Sequence, residues 1–201
     1  MKPKDIVAES TEEGSPGAGL PFELTTSTLF KSRTVALFGE ITDRLARDVV
    51  AQLLALANVG NEPIRMFISS PGGHVESGDA VFDVVRFIIP RVIMIGTGWV
   101  ASAGALIYLS AEKSDRYCLP NTRFLLHQPM GQAHGSGSDV EIHTREILKM
   151  RRRLNLIIAR ETGQTLERVE RDTDRDHWLT AEEAREYGIV GSIIQSADEI
   201  R

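Results

Sequence analysis

The chain has 201 residues, a length that suits one α/β domain with a substantial core. Its 23 basic and 28 acidic side chains give a formal net charge of −5, which argues against nucleic-acid binding because that function calls for a basic face. The single cysteine, Cys118, excludes an internal disulfide framework and has no companions for a zinc site. The sequence shows no secretory signal and no apolar run long enough to span a bilayer, so we expect a cytoplasmic protein without a membrane partner.

The N-terminal stretch mixes Glu, Ser, Gly and Pro without any periodicity. Such a composition buries too little apolar surface to offset the entropy of ordering. We therefore expect residues 1–27 to be disordered or poorly ordered, and residues 28–201 to form the folded domain.

The middle of the chain alternates strand-like and helix-like patterns. Short apolar runs at 34–38, 64–68 and 91–95 are typical of strands in a sheet that is covered on both faces. Helical spacing of apolar residues follows the first two runs, with Thr42 or Asp43 as the N-cap of the first helix. The order strand, helix, strand, helix, strand predicts an α/β fold with right-handed βαβ crossovers.

A fourth strand is predicted at 123–126, and a glycine-rich stretch leads from it to the longest helix of the chain. Ser138 and Glu141 form a capping-box pattern for this helix, and Gly163 is its expected C-cap. A helix of roughly two dozen residues is about 36 Å long, which exceeds what a domain of this size needs internally. We therefore expect part of this helix to pack on another subunit.

Ser102 lies where the strand at 91–95 gives way to a segment of small apolar residues. A serine at a strand-to-helix turn presents its hydroxyl freely, and the next backbone N–H groups have no helical partner. Serine at this position is also a common N-cap, so Ser102 alone does not establish a nucleophile.

Three further stretches favour the nucleophile interpretation. His127 follows a neighbouring strand, and functional sites in α/β sheets form at such strand ends. Its imidazole could accept the serine proton, or the histidine could have only a structural role. Gly72 and Gly73 follow another strand and offer N–H groups to an oxyanion, or form only a tight turn. The acidic cluster at 172–176 offers three carboxylates to orient His127, or is a solvated turn. Together these stretches predict acyl transfer by a Ser-His-Asp set.

The sequence gives no sign of a bound cofactor. No pair of its histidines has the spacing of a metal site, so we predict no metal ion. A phosphate-binding glycine loop is also missing, so we expect any ATP to be used by a partner and not by this chain.

Five separate motifs, occurring in the same order, resemble the proteolytic subunit of the Clp protease, ClpP. The resemblance covers roughly residues 28–195. The motifs are Ser-Ser-Pro-Gly-Gly (69–73), Ala-Ser-Ala-Gly (101–104), Leu-His-Gln-Pro (126–129), Glu-Ile-His-Thr-Arg-Glu-Ile-Leu (141–148) and Glu-Arg-Asp-Thr-Asp-Arg-Asp (170–176).

The resemblance implies an α/β fold of the crotonase-like βαβ spiral type. In it, a handle region at about 128–162, with the long helix, joins one ring of subunits to another. The implied assembly is two stacked seven-membered rings that enclose a chamber, and the implied activity is that of a serine endopeptidase.

The site residues that the resemblance implies are assigned by position in the motifs. The nucleophile, the base and the orienting acid are Ser102, His127 and Asp176. The oxyanion donors are the backbone N–H groups of Gly73 and Ala103. The inter-ring contact pair is Asp174 with Arg175.

Two stretches depart from the family pattern. Family members usually read Gly-Gln-Ala-Ala-Ser-Met-Gly where residues 98–104 read Gly-Trp-Val-Ala-Ser-Ala-Gly, which predicts a different pocket shape around an unchanged backbone donor. The family's basic, tyrosine-containing pore segment is not recognisable in residues 20–26. We therefore expect weak stimulation by a standard unfoldase, and a second ClpP paralogue is a candidate partner.

These observations predict a self-compartmentalised serine endopeptidase that cleaves peptides and unfolded proteins delivered by an AAA+ ATPase unfoldase. Two alternatives stay open from the sequence. An acyl-CoA enzyme on the same fold would share the two oxyanion amides, but it needs acid/base carboxylates in place of a Ser-His-Asp set. A regulatory ring subunit in a mixed barrel would carry the same residues without using them.

Overall fold

The structure is a computed structural model and describes residues 22–131 and 135–200. The helices are α1 (Phe22–Lys31), α2 (Asp43–Val59), α3 (Val75–Phe87), α4 (Ala103–Tyr108), α5 (Gly137–Thr162), α6 (Leu166–Asp172) and α7 (Ala181–Tyr187). The strands are β1 (Thr34–Phe38), β2 (Ile64–Ser70), β3 (Val92–Ala101), β4 (Arg116–Cys118), β5 (Arg123–Leu126), β6 (His177–Leu179) and β7 (Ser192–Ile193).

The first helix corrects one expectation. Residues 22–27, which we expected to be poorly ordered, begin α1, while the expectation for residues 1–21 lies outside the described residues. Glu23 in the first turn and Lys31 in the last turn both complement the helix dipole, which favours a helix here.

The strands form one sheet in the order β1-β2-β3-β4-β7, and β5 and β6 lie off this path beside β3. Every pairing is parallel except that of β5 with β6, which confirms the predicted βαβ arrangement. β3 is the central strand, because its first half pairs with β4 and its last residues, 99–101, pair with β5. Since β2, β3 and β5 run in parallel, the residues that follow them lie at the same edge of the sheet.

The faces of the strands and of α2, α3 and α4 form one buried apolar cluster. Thr42, and not Asp43, caps α2, because its side chain accepts a hydrogen bond from the Leu45 N–H at 3.2 Å. Cys118 lies in β4 and is fully buried, as expected for an ordinary core thiol. Within the described part of the chain, no helix is long and apolar enough to cross a membrane.

The cap of α5 differs from the prediction. Ser136 and Asp139 form the capping box, whereas Ser138 and Glu141 lie inside the helix. The reason is backbone conformation, because Ser136 has the extended φ of −65° and ψ of 163° that an N-cap needs. The C-cap is Gly163, which has a left-handed φ of 76° and confirms the predicted end of the helix.

The long helix divides into two parts that differ in burial. Its buried residues are Asn155, Ile158 and Thr162, all in the C-terminal part. We call residues 137–154 the arm, and residues 34–131 with 155–200 the body. All arm residues are described by the structure, and none of them is buried.

Candidate active site

Ser102 occupies the turn between β3 and α4, as the sequence predicted. Its φ of 54° and ψ of −121° lie outside the regions that L-residues ordinarily adopt. Its side chain makes no capping hydrogen bond to α4, so the N-cap interpretation of its hydroxyl is wrong. The Ser102 N–H donates to the Leu125 carbonyl at 2.9 Å, which fixes the turn against β5. Strain held in this way at a serine whose hydroxyl makes no capping bond is typical of a nucleophile turn.

The glycine loop after β2 lies directly against Ser102. Gly72 and Gly73 both have positive φ, of 99° and 146°. A Cβ on Gly72 would lie 2.5 Å from the Ser102 Cβ, and a Cβ on Gly73 would lie 2.3 Å from the Ile41 carbonyl oxygen. Both positions therefore require glycine for close approach of the backbone.

The hydrogen bonds of this loop determine where the Gly73 N–H points. The Ile41 N–H donates to the Gly72 carbonyl and the Ile41 carbonyl accepts from the His74 N–H, both at 2.8 Å. In this parallel bridge, the Gly73 N–H points to the side away from Ile41. Its direction leaves that group available to a ligand beside Ser102.

His127 and Asp176 face each other across a strand pair. β5 and β6 are antiparallel with Leu126 opposite His177, so the next pair in this register is His127 with Asp176. The His127 Nδ1 lies 3.6 Å from the Asp176 Oδ1, slightly beyond hydrogen-bond length. The His127 side chain is 14 % exposed and that of Asp176 is 65 % exposed. A closing movement of a few tenths of an ångström would make the hydrogen bond.

The other two aspartates of the acidic turn have different partners. Asp172 accepts a hydrogen bond from the Tyr187 hydroxyl at 3.1 Å and lies 3.4 Å from the Arg168 Nε. Asp174 pairs with Arg151 of the arm at 3.1 Å. Of the three carboxylates, Asp176 is therefore the one beside His127.

Gln128 is a functional residue that the sequence argument missed. Its backbone N–H donates to the Thr173 carbonyl and its side-chain amide to the Asp174 carbonyl, both at 2.7 Å. Thr173 is itself fully buried and donates to the Val169 carbonyl at 2.8 Å. These bonds fix the acidic turn against the end of β5, and the only sequence signal was the position of Gln128 after His127.

The sequence predicted a pocket at the nucleophile but did not predict which residues line it. Both Ser102 and His127 line it. The rest of its wall is almost entirely apolar and comes from α3, α4, α5 and the end of β5. These wall residues are Val75, Ala103, Leu106, Leu126, Pro129, Leu154 and Ile158.

The described residues contain no group of three or more His, Cys, Asp or Glu side chains that could hold a metal ion. His74, the histidine nearest the glycine loop, contacts Asp43 at 3.1 Å through Nδ1 and Glu76 at 3.2 Å through Nε2. Ser77 donates its hydroxyl hydrogen to the same Asp43 carboxylate. The Ser77 Oγ also lies 2.8 Å from the His74 Nδ1, so Asp43, His74 and Ser77 form one polar cluster beside the glycine loop.

A strained, uncapped serine that shares an apolar pocket with a histidine, next to a glycine loop at the same sheet edge, defines a serine hydrolase. The family model for the Clp protease matches residues 21–197. The "ATP-dependent Clp protease proteolytic subunit 3" of Rhizobium etli is 58% identical over 176 residues, which cover 88% of this chain and 91% of that protein. The corresponding subunit 2 of Gluconobacter oxydans is 53% identical over 195 residues, covering 96% of this chain and 87% of that protein.

Solved structures agree with this relationship. ClpP1 from Listeria monocytogenes matches with a TM-score of 0.80 and 48% identity, covering 88% of this chain and 99% of that one. The chain belongs to the Clp protease family. The predicted resemblance and the ClpP-type α/β fold are confirmed, and the chain is a serine endopeptidase. Neither the acyl-CoA enzyme nor the inactive ring subunit is favoured by these relatives.

Proposed function

We propose that this chain hydrolyses peptide bonds with Ser102 as nucleophile, His127 as base and Asp176 as orienting acid. The observation that carries this proposal is the shared pocket, which joins the uncapped hydroxyl of Ser102 to a histidine whose ring faces Asp176. In such a set the neutral imidazole takes the serine proton, and the carboxylate fixes the tautomer that can do so.

The reaction then follows from where these groups lie. The Ser102 Oγ attacks the peptide carbonyl carbon while the imidazole of His127 accepts its proton. The tetrahedral intermediate collapses to an ester on Ser102 as His127 protonates the leaving amine. Water, deprotonated by the same imidazole, hydrolyses the ester and restores the free serine.

We assign the oxyanion to the backbone N–H groups of Gly73 and Ala103. The Gly73 N–H points away from Ile41, and the Gly72 peptide lies against Ser102. Ala103 is the first residue of α4, so its N–H has no partner within that helix. Preorganised donors of this kind stabilise the charge that develops on the carbonyl oxygen.

We propose that the pocket receives the substrate side chain on the amino side of the cleaved bond. Its wall is formed by aliphatic residues of four elements, and it opens beside the Ser102 hydroxyl. An apolar side chain gains free energy there in proportion to the apolar area it buries. The enzyme should therefore prefer peptides with an apolar residue at that position.

For the assembly, we propose two stacked seven-membered rings joined through the arms, with Asp174 and Arg175 in the inter-ring contact. The relatives are named as proteolytic subunits of an ATP-dependent protease. The exposed Val140, Ile142 and Leu148 of the arm support a contact with another subunit. In the single chain Asp174 pairs with Arg151, so an inter-ring contact would have to share or displace that pair.

We further propose that the barrel acts in the cytoplasm on unfolded proteins that an AAA+ Clp ATPase delivers. In this proposal ATP is used only by the partner ATPase, and the chain itself needs no cofactor. A second ClpP paralogue is a candidate for one of the two rings, because the family's usual pore segment was not recognisable at the N-terminus.

The test of the catalytic proposal is labelling with a fluorophosphonate probe, followed by mass spectrometry of the labelled peptide. An activated serine reacts with this probe, and we expect the label on Ser102 alone. Labelling at another serine, or no labelling of an assembled particle that cleaves peptides, would contradict the assignment.

The test of the partner proposal compares short peptides with a stably folded protein as substrates. Folded domains are stable by roughly 5–15 kcal/mol, so their open fraction is very small. We expect the chain alone to cleave short peptides but to degrade the folded protein only with an AAA+ unfoldase and ATP, and faster with a second ClpP ring. Rapid degradation of the folded protein by the chain alone would refute the proposal that an unfoldase must deliver folded substrates to the chamber.

A further inference from the structure

The arm is attached to the body by an ion pair that no part of the catalytic site uses. The Arg153 guanidinium donates two hydrogen bonds to the Asp79 carboxylate of α3, at 2.8 and 2.5 Å. The two residues are far apart in sequence, so this contact joins separate elements of the fold. Bidentate guanidinium–carboxylate pairs hold a fixed relative orientation, because both groups are planar and rigid.

The position of the pair along α5 is informative. Asn155 is the first buried residue of the helix, and Arg153 lies two positions before it, in the last turn of the arm. Between them is Leu154, which lines the pocket beside Ser102. The turn of α5 that contributes Leu154 to the pocket wall is therefore attached to the body by this ion pair.

The other partner of the pair, Asp79, also lies near the pocket beside Ser102. Val75, which also lines the pocket, is four residues before Asp79 and thus on the same helix face. α3 is itself packed closely on α4, because a Cβ on Gly78 would lie 3.3 Å from the Ala103 Cβ. Asp79 is thus held in place by the packing of α3 on α4. Through Arg153, it positions the last turn of the arm.

We infer that the Asp79–Arg153 pair is a specificity-determining contact, which sets the shape of the substrate pocket by fixing Leu154 of α5 relative to Val75 of α3. This inference rests on the proposed role of the pocket as the site for the substrate side chain. Neither Asp79 nor Arg153 lines the pocket, so both are positioning residues. Without the pair, the arm keeps its contact of Arg151 with Asp174, but Leu154 loses the attachment of the residue directly before it and can move away from the pocket.

The inference predicts a change in substrate selectivity and not in the chemical step. The kinetic test uses fluorogenic peptides that differ only in whether alanine, leucine or phenylalanine precedes the cleaved bond. For Asp79→Ala, we expect KM for the leucine peptide to rise about threefold to tenfold, and kcat to stay within about twofold. The preference for leucine over alanine should fall by the same factor as KM rises.

Two further variants separate the pair from a general structural effect. Asp83→Ala removes an exposed carboxylate one turn further along α3, which attracts Arg153 through space but makes no hydrogen bond to it, and should leave the selectivity unchanged. The double variant Asp79→Arg, Arg153→Asp reverses the pair and should restore the selectivity to within about twofold of the wild type. Particles of equal sedimentation coefficient should be compared, so that assembly does not enter the kinetics.

Each possible outcome decides a different claim. Unchanged selectivity in Asp79→Ala, or an equal loss for all three peptides that the reversed pair does not restore, would overturn the inference. Leu154→Ala tests the pocket itself, and unchanged selectivity in that variant would overturn the proposed substrate site. If Leu154→Ala shifts the selectivity and Asp79→Ala does not, the site stands and the positioning role of the pair falls.

Discussion

The body and the arm differ in whether they contain a buried apolar core. In the body, the strands and α2, α3 and α4 bury their apolar side chains together, and Leu53 and Ile64 are fully enclosed. In the arm, Val140, Ile142 and Leu148 are exposed by 37 %, 56 % and 57 %. The body also leaves apolar side chains exposed around its core, with Phe87 and Ile89 exposed by 81 % and 84 %. The arm differs because it has exposed apolar side chains and no buried core, which is typical of a segment that contacts another molecule.

This difference separates the region that supplies the catalytic residues from the region that is available for contacts with other subunits. The body alone supplies Ser102, His127 and the glycine loop, which follow strands, and Asp176, which directly precedes β6. The arm adds one side chain, Leu154, to the pocket and contacts the body through the ion pairs of Arg151 and Arg153. Changes at the core of the body should therefore affect folding, changes at its catalytic residues should affect chemistry, and changes on the exposed apolar residues of the arm should affect assembly.

The largest expected effect is at the nucleophile of the body. Ser102→Ala should lower kcat for peptide hydrolysis by about 10⁶, because no other hydroxyl replaces the attacking group. Sedimentation should show an unchanged particle, since the arm is intact. The matched control is Ser110→Ala, which removes a buried hydroxyl that donates only to the Ile107 carbonyl and should leave kcat unchanged. Wild-type turnover in Ser102→Ala would remove the basis of the mechanism.

The next effect separates the carboxylates of the acidic turn. Asp176→Asn should lower kcat by up to about 10⁴, because the amide no longer holds the His127 tautomer that accepts the serine proton. Asp172→Asn should instead lower the free energy of unfolding by about 1–3 kcal/mol through its bond with Tyr187, measured by urea denaturation. A catalytically dead Asp172→Asn particle together with an active Asp176→Asn particle would reverse the assignment.

The arm is tested by placing a charge on its exposed apolar surface. Ile142→Asp or Leu148→Asp should keep the circular dichroism of the folded chain but lose the double-ring particle on ultracentrifugation. The reason is that an unpaired charge buried in an apolar contact costs roughly several kcal/mol. The matched change in the body, Leu53→Asp, should unfold the chain, since that side chain is fully buried. Intact double rings in both arm variants would show that this surface is not the ring contact.

Much of the body could be predicted from its sequence, because local pattern determines it. The apolar runs of β1 and β2, and the spacing of Val49, Leu53 and Leu56 on α2, specify their elements without reference to the rest of the chain. Three strands were missed, namely β4, β6 and β7. They are only two or three residues long, too short to show a period of two, and they exist because longer neighbours pair with them.

The start of α5 shows a second limit of local pattern. Two overlapping capping boxes, Ser136 with Asp139 and Ser138 with Glu141, have the same spacing, and the sequence does not choose between them. The choice depends on where the chain enters the helix, which the conformation of Ser136 determines. Helix existence was therefore predictable, and its first residue was not.

In the site, strand ends identified Ser102, Gly73 and His127, because parallel strands deliver their following residues to one edge. The residues themselves did not identify the carboxylate, since all three aspartates of the acidic turn were candidates, and Asp176 came from the family resemblance. The structure places Asp176 beside His127 through the register of β5 with β6, a pairing between distant segments. The selectivity contact of Asp79 with Arg153 is equally long-range and had no local signal.

The smallest expected effect concerns Cys118, which tests whether the body stays closed without the arm contacts. Burial raises the pKa of its thiol from 9.0 to about 12, so the reactive thiolate is about 10³-fold rarer than in an exposed cysteine. We expect iodoacetamide at pH 8 to leave Cys118 unmodified by mass spectrometry in the wild type and equally in Ile142→Asp, and to add one label in denaturant. Rapid labelling of native Ile142→Asp would show that the body depends on assembly for its packing.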